Sequence, residues 1–352
     1  MRGLTPYKSG IWKIYLLSLA ALVLLLFMNL VFGSVPITLS ELWTVLSGRE
    51  GGSPSTFMII HQFRIPQSIT AVFAGAGLAV AGLMMQTLFK NPLADPSILG
   101  ISSGASLGVA LLLMATGQIS GHALIHFGWA RHIGVIASAA LGSLLVLTLI
   151  TMLSKRLSGM TSLLIAGIMI AYFTSAIVGI IKYFSQKEDL QAFVIWGMGS
   201  FSNVGQQQLL FFSLVTGMLL AVSFLFIKPL NLLLLGDRYA ENLGLNTKLY
   251  QRWILVIAGL LTAAVTAYAG PIAFIGLAVP HLARNMTKSA DHRILLPSSV
   301  IMGASLALFC NLIARLPGFD GSLPINSITS LIGAPFVIAI IWKRQRFYSE
   351  TK

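Results

Sequence analysis

Few residues in this chain have the chemistry to act on a substrate. The run Pro280-His281-Leu-Ala-Arg284 sets an imidazole and a guanidinium about one helical turn apart. Such a pair serves either a structural hydrogen-bond network or a gating contact. The run Gly121-His122-Ala-Leu-Ile-His126 sets two imidazoles at i, i+4, with His132 beyond. On one helical face they could meet a metal or a haem. A third ligand and an acidic second shell are both missing, so a solvated or packed loop is the better reading of the pair and no metal site is expected. Cys310 is the single cysteine and sits in an apolar run, which suits a small buried side chain and excludes an intrachain disulfide. No G-x-x-x-x-G-K-[ST] run occurs, so the chain has no P-loop for nucleotide phosphates. Any ATP must then be used by another subunit. No Ser/His/Asp arrangement or metalloprotease motif is present either.

The elements that would hold these residues are apolar. Of the 352 residues, 56% are hydrophobic and 9% charged, and the mean hydropathy is +0.85. A soluble domain carries about 25% charged residues, so this is an integral membrane protein. The net charge of +13 is spread over short loops, which fits membrane topology better than nucleic-acid binding. A membrane helix needs about 20 apolar residues. On that ruler about ten spans are expected, at 11–32, 65–89, 96–116, 133–153, 163–183, 209–227, 249–268, 272–286, 294–314 and 328–342. The first follows a basic start, is too long for a signal-peptide core and lacks a small-x-small cleavage site. The eighth is short and bounded by Pro271 and Pro280, so a tilt or break is expected there.

With the N-terminus inside, 17 of the 23 Lys and Arg residues fall on the inner side and six on the outer. That asymmetry predicts an even number of spans with both termini cytoplasmic. The fold class is therefore all-α polytopic, one transmembrane unit over residues 1–352. No acid falls inside a span, which argues against a proton relay of the kind ion-coupled carriers need; backbone carbonyls could still hold sodium. The second span carries Gly75, Gly77 and Gly82 among several alanines. Close helix packing accounts for that, and so would a helix that pivots near a pathway. The stretch 228–252, KPLNLLLLGDRYAENLGLNTKLYQR, is the charged break between two series of spans. It is either a plain cytoplasmic loop or a surface through which a soluble motor acts.

Several motifs occur together and in order. They are Arg64-Ile-Pro66; Gln86 followed by Asn91-Pro92-Leu93-Ala94-Asp-Pro96, Gly100 and Gly104; Trp196-Gly197-Met-Gly199-Ser200; Gly236, Ala240, Leu243 and Gly244; and Gly270-Pro271, Phe274, Gly276, Pro280-His281 and Arg284. Ala314-Arg315, Leu323-Pro324 and Gly333-Ala334-Pro335-Phe336 extend the pattern. Over nearly its whole length the chain resembles the permease subunits of bacterial ABC importers for iron–siderophores, haem and cobalamin. Residue chemistry also explains parts of the motifs directly. Asn91-Pro92 suits a tight turn between two spans. Gly270-Pro271 suits the end of one helix and the start of the next. Pro280 frees a carbonyl inside a short span.

The resemblance implies a homodimer that moves cargo from periplasm or exterior to cytoplasm by alternating access, in the bacterial inner membrane. It implies two cytoplasmic ATPase subunits that use ATP and Mg, so that this chain binds no cofactor and performs no catalysis. It makes Leu235, Gly236, Asp237, Arg238, Ala240, Glu241, Leu243 and Gly244 the ATPase-coupling residues. It makes Met160, Thr161 and Ser162 candidates for the cytoplasmic gate. It gives Gln86, Asn91, Pro92, Leu93, Ala94, Pro96, Gly100, Gly104, Gly270, Pro271, Gly276, Pro280, His281 and Arg284 structural or gating roles. An extracytoplasmic binding protein would dock on Arg64 and Arg315. The chain departs from the family at Gln67, where a second basic residue is common, at Asn311, where Asp is common, and at Ser322, where Glu is common. A less ionic docking contact is implied. The alternatives are an ion-coupled secondary transporter, an intramembrane enzyme and a passive channel; each lacks its own sequence mark. The cargo itself has no readable code.

Overall fold

Inside a bilayer every backbone N–H and C=O must be satisfied by the chain itself, and an apolar run of about 20 residues does this as a helix. The computed structural model describes residues 6–47, 53–119, 128–157, 159–315 and 322–349, and among these it contains only helices and connecting segments. The α-helices are α1 (Pro6–Val31), α2 (Leu39–Leu46), α3 (Pro54–Met58), α4 (Ile65–Leu88), α5 (Ile101–Ile119), α6 (Gly128–Arg156), α7 (Met160–Tyr183), α8 (Lys187–Gly197), α9 (Gln206–Ser223), α10 (Ile227–Leu234), α11 (Asp237–Asn242), α12 (Thr247–Ala269), α13 (Ile275–Thr287), α14 (His292–Ala314) and α15 (Ile325–Ser349). A π-helical turn, Ile59–Arg64, leads into α4. The ten expected spans correspond to α1, α4, α5, α6, α7, α9, α12, α13, α14 and α15.

Seven of the spanning segments are long and apolar enough to cross a bilayer on length and composition alone. Shorter apolar segments lie in α5, at Ile101–Leu113, and in α15, at Ile325–Ala339. The exception is α13. Its 13 residues reach only about 20 Å at 1.5 Å per residue, short of a ~30 Å hydrocarbon core. The chain enters α13 through an irregular segment in which Gly270 and Phe274 have φ of +76° and +68°. The break expected around Pro271 therefore sits at the helix start.

The centre of the bundle is α4, packed between α14, α12, α13 and α9. In the apolar part of the α4 segment 83% of residues are buried, against 17% in α7. Small residues make that crowding geometrically feasible. A Cβ on Gly75 would lie 2.2 Å from the Gly303 carbonyl oxygen, and one on Gly82 would lie 1.8 Å from that of Gly276. Close packing thus accounts for the small-residue stripe. By contrast α7 exposes Met169, Tyr172 and Phe173, an apolar face suited to lipid or a second chain.

Apolar-run counting passes over the short helices. Helix α2 begins with a capping box, in which Thr38 and Glu41 exchange side-chain-to-backbone hydrogen bonds. Helices α8, α10 and α11 lie in the connections.

Candidate functional site

The break at 228–252 folds as α10, α11 and the first turn of α12. Leu230 and Leu233 of α10 are buried, and Asn231 donates to Asp291 Oδ1 at 2.6 Å while accepting from the His292 backbone at 2.9 Å. This ties α10 to the start of α14. Gly236, at φ +106°, turns the chain into α11. Ala240 is fully buried. Asp237 pairs with Lys90 at 2.8 Å and accepts from Gln251 at 3.3 Å. Glu241 accepts from Thr247 Oγ1 at 2.5 Å. Gly244, at φ +86°, turns the chain out again. Two of the three charges expected to face a partner are thus engaged within the chain; Arg238 is exposed. What α11 and its flanks present outward is apolar and aromatic: Leu235, Tyr239 and Leu243 are each more than half exposed.

Behind α11 is a cavity of about 430 Å³. Its wall includes Gly159 and Met160 at the start of α7, with Asp237 and Glu241 opposite. Thr161 and Ser162 are exposed beside it. One expected gate residue, Met160, and two expected coupling residues, Asp237 and Glu241, therefore line one space.

The fold also joins motifs that lie far apart in sequence. Pro280 has no N–H to give the Gly276 carbonyl. The buried Gln86 turns its amide toward that carbonyl, at 3.4 Å, and donates to the Leu277 carbonyl at 3.2 Å. Arg284 in turn donates to Gln86 Oε1 at 2.6 Å. His281 Nε2 lies 2.9 Å from the Pro92 carbonyl oxygen, as donor. Asn91 closes its own turn by accepting from the Leu93 backbone at 3.0 Å, and Gly100 takes φ +80° at the end of the short 3-10 turn Pro96–Leu99. Gly104 meets Gly142 where α5 crosses α6. Asp95, expected to be a loop acid, turns inward until Oδ2 is 2.9 Å from where a Gly276 Cβ would be. Burial raises its pKa, against the hydrogen bonds from Ser97 that lower it. At the other end of α12, the Ser200 backbone donates to Ala269 at 2.8 Å and that of Asn326 to Met198 at 3.1 Å. The Trp196–Ser200 motif, the Gly270-Pro271 turn and the start of α15 are one joint.

Arg64 and Arg315 depart from expectation. They are 2% and 8% exposed. Arg64 donates to the Leu30 and Val31 carbonyls at 2.6 Å, and also to Val35. Arg315 donates to Gln67 Oε1 at 2.6 Å and to the Asn29 and Phe32 carbonyls at 3.3 and 3.2 Å. Together they satisfy the last carbonyls of α1, which have no helical partners. Gln67 and Asn311, the departures from the family pattern, supply neutral amide contacts in the same network, Asn311 donating to Asn29 at 2.8 Å. Ser322 borders a neighbouring cavity with both arginines. Neither guanidinium presents a surface charge in this conformation. Arg315→Met should therefore cost roughly 1–3 kcal/mol of stability, the penalty for orphaned buried acceptors. A lowered melting temperature in detergent is expected; an unchanged one would point to a purely surface role.

His132 Nε2 donates to the Asn203 backbone carbonyl oxygen at 2.6 Å. His122 and His126 lie outside the described residues. Among the described residues no three His, Cys, Asp or Glu side chains converge as a metal site would require.

Membrane-length helices packed around α4, with the short helix α11 held at their ends, make this a polytopic membrane protein. Residues 21–343 match the FecCD transport family, and the chain belongs to that family. It is 34% identical over 320 residues to the vitamin B12 import system permease protein BtuC of Salmonella typhi, covering 89% of this chain and 94% of that one. It is 35% identical over 328 residues to the hemin transport system permease protein HmuU of Yersinia pestis, covering 93% and 94%. A solved structure assigned to the metal-chelate type ABC transporters, in an inward-facing conformation, superposes with a TM-score of 0.81 at 30% identity, over 94% of this chain and 99% of the other.

Proposed function

We propose that this chain is the non-catalytic permease subunit of an ATP-driven importer for a metal chelate of the iron–siderophore, haem or cobalamin kind. The observation that carries the proposal is α11 in a chain of this family: anchored inward by Asp237, Ala240 and Glu241, apolar outward at Leu235, Tyr239 and Leu243. A helix that transmits force needs both properties. Load entering at Leu243 reaches α12 through Glu241–Thr247 and the α4–α5 turn through Asp237–Lys90. That turn is hydrogen-bonded to α13 by His281, and Arg284 and Gln86 link α13 to α4.

ATP and Mg are used in this reading by two cytoplasmic ATPase subunits docked on this face, in keeping with a sequence that carries no P-loop. The exposed apolar face of α7 suits the interface with a second copy, so that the pathway runs between two permeases. Met160, Thr161 and Ser162 then form the inner gate beside the cavity behind α11. An extracytoplasmic binding protein delivers cargo on the opposite side, in the bacterial cytoplasmic membrane. Switching between inward and outward openings follows from rigid-body movement at the dimer interface. The two named relatives are permeases for vitamin B12 and hemin, which supports a large chelate as cargo. Vesicles holding the assembled complex and its binding protein should accumulate one of labelled cobalamin, haemin or a ferric siderophore only with ATP on the cytoplasmic side. Equal accumulation without ATP contradicts the proposal.

A further inference from the structure

We propose that the cavity between the α6–α7 connection and the start of α12 is a binding site for a phosphate-bearing anion, of which the headgroup of an anionic inner-leaflet phospholipid is the first form. Lys155, Arg156, Lys248 and Arg252 line it. None of the four forms an ion pair among the described residues. The two carboxylates in the wall offset them only in part: Asp237 is paired with Lys90 from outside the lining, and Glu241, hydrogen-bonded to the neutral Thr247 hydroxyl, keeps its charge. Four cations against two carboxylates leave the space with a net positive charge. The positive-inside rule explains why basic residues sit at this end of the spans. It does not explain why residues from two segments almost a hundred positions apart converge on a single cavity.

The backbone adds to the field. Helix α7 starts at the cavity wall from Gly159, with no side chain capping it, and α12 begins there as well. The N-termini of both helices put positive dipole ends at the space, offset in part by the C-terminus of α6, which ends there at Arg156. The cavity volume, about 430 Å³, lies within the usual range of small-molecule sites. Its deep wall is apolar, with Leu88, Leu163 and Leu255. The flanks of α6 and α7 nearby carry exposed Met152 and Ile165. A charged mouth over an apolar floor, beside hydrocarbon-facing helix surfaces, matches a phospholipid with its phosphate outermost. A free phosphate would use the same cations and leave the apolar floor empty. The site does not depend on the transport proposal; its consequence would be an anion that ties the α6–α7 connection to α11 and α12.

The test uses the full chain in bilayer nanodiscs of phosphatidylcholine with or without phosphatidylglycerol. Lipids retained on mild extraction are counted by native mass spectrometry, and melting temperature is measured with and without millimolar inorganic phosphate. The wild-type chain should retain phosphatidylglycerol over phosphatidylcholine. Lys155→Gln/Arg156→Gln/Lys248→Gln/Arg252→Gln should lose roughly tenfold or more in that preference, as expected from removing several charge-assisted contacts. Lys13→Gln/Arg293→Gln, outside the cavity, should keep it. If the fourfold variant fails to fold, Lys155→Gln/Arg156→Gln, at exposed positions, is read instead. A phosphate-dependent rise in melting temperature in pure phosphatidylcholine, lost in the cavity variant, would assign the site to a soluble phosphate and still support it. Unchanged lipid retention and phosphate response in the cavity variants, or an equal loss in the control, would overturn it.

Discussion

Gly82→Val is expected to abolish recovery of the folded protein. At this position a Cβ meets backbone, 1.8 Å from the Gly276 carbonyl oxygen and 2.6 Å from its Cα. Backbone cannot rotate away as a side-chain tip can. The two helices would have to separate, and α4 is held on its other faces by α14, α12 and α9. Overpacking in a core usually costs about 1–3 kcal/mol; a clash of two rigid backbones belongs at or beyond the top of that range. Separation would also pull Gln86 from the Gly276 and Leu277 carbonyls, leaving acceptors that Pro280 cannot help satisfy. Gly77→Ala is the matched comparison on the same helix. The nearest atom to its Cβ is a Thr216 methyl at 3.3 Å, which can give. Size-exclusion profiles after detergent extraction should show a monodisperse peak for Gly77→Ala and aggregation or loss for Gly82→Val. Equal behaviour of the two would mean that α4 and α13 are not packed as described.

The second large effect is expected at Leu235 and Leu243. Leu235→Asp/Leu243→Asp should release the ATPase subunits while leaving the permease folded. The two leucines are 59% and 55% exposed, so within the chain their replacement costs little. At an interface each buried apolar anchor is worth on the order of 2 kcal/mol, and a charge in its place is worse. An affinity loss of at least a hundredfold is therefore expected, at a factor of ten per 1.4 kcal/mol. Lys90→Ala should behave differently. The Lys90–Asp237 pair is close to half exposed on both sides, and such pairs contribute roughly 0–1 kcal/mol, so copurification should persist. If the double variant kept its ATPase while Lys90→Ala lost it, the interface would be electrostatic and lie elsewhere on the loop.

The membrane spans were legible because hydrocarbon imposes a length on any apolar run that crosses it. Short helices escape that ruler. Helix α11 has six residues and leaves no trace in a hydropathy window, although Gly236 and Gly244 mark both its ends. Thr38 and Glu41 cap α2, but one turn of pattern in a sequence cannot separate a helix from a loop. Gln86 was recognisable as part of a motif, yet its task was not, since the carbonyl freed by Pro280 lies 190 residues away and only the tertiary fold joins them. Arg64 and Arg315 looked like surface charges because arginine at a span end ordinarily reaches for water. Here the unpaired carbonyls at the end of α1 compete for the guanidiniums and win. Asp95 reads as a solvated loop acid for a similar reason. Nothing in a single sequence says that the turn after Asn91-Pro92 folds back against Gly276.

The central claim is that force from ATP hydrolysis enters this chain through α11 and moves a chelate across it. The most direct measurement is chelate uptake by proteoliposomes holding the permease, its binding protein and either a working ATPase or one able to bind but unable to hydrolyse ATP, with proton and sodium gradients collapsed. Accumulation against a gradient with the working ATPase, and none with the inactive one, is predicted. Equal accumulation with both, or accumulation that follows an imposed ion gradient, would contradict the account.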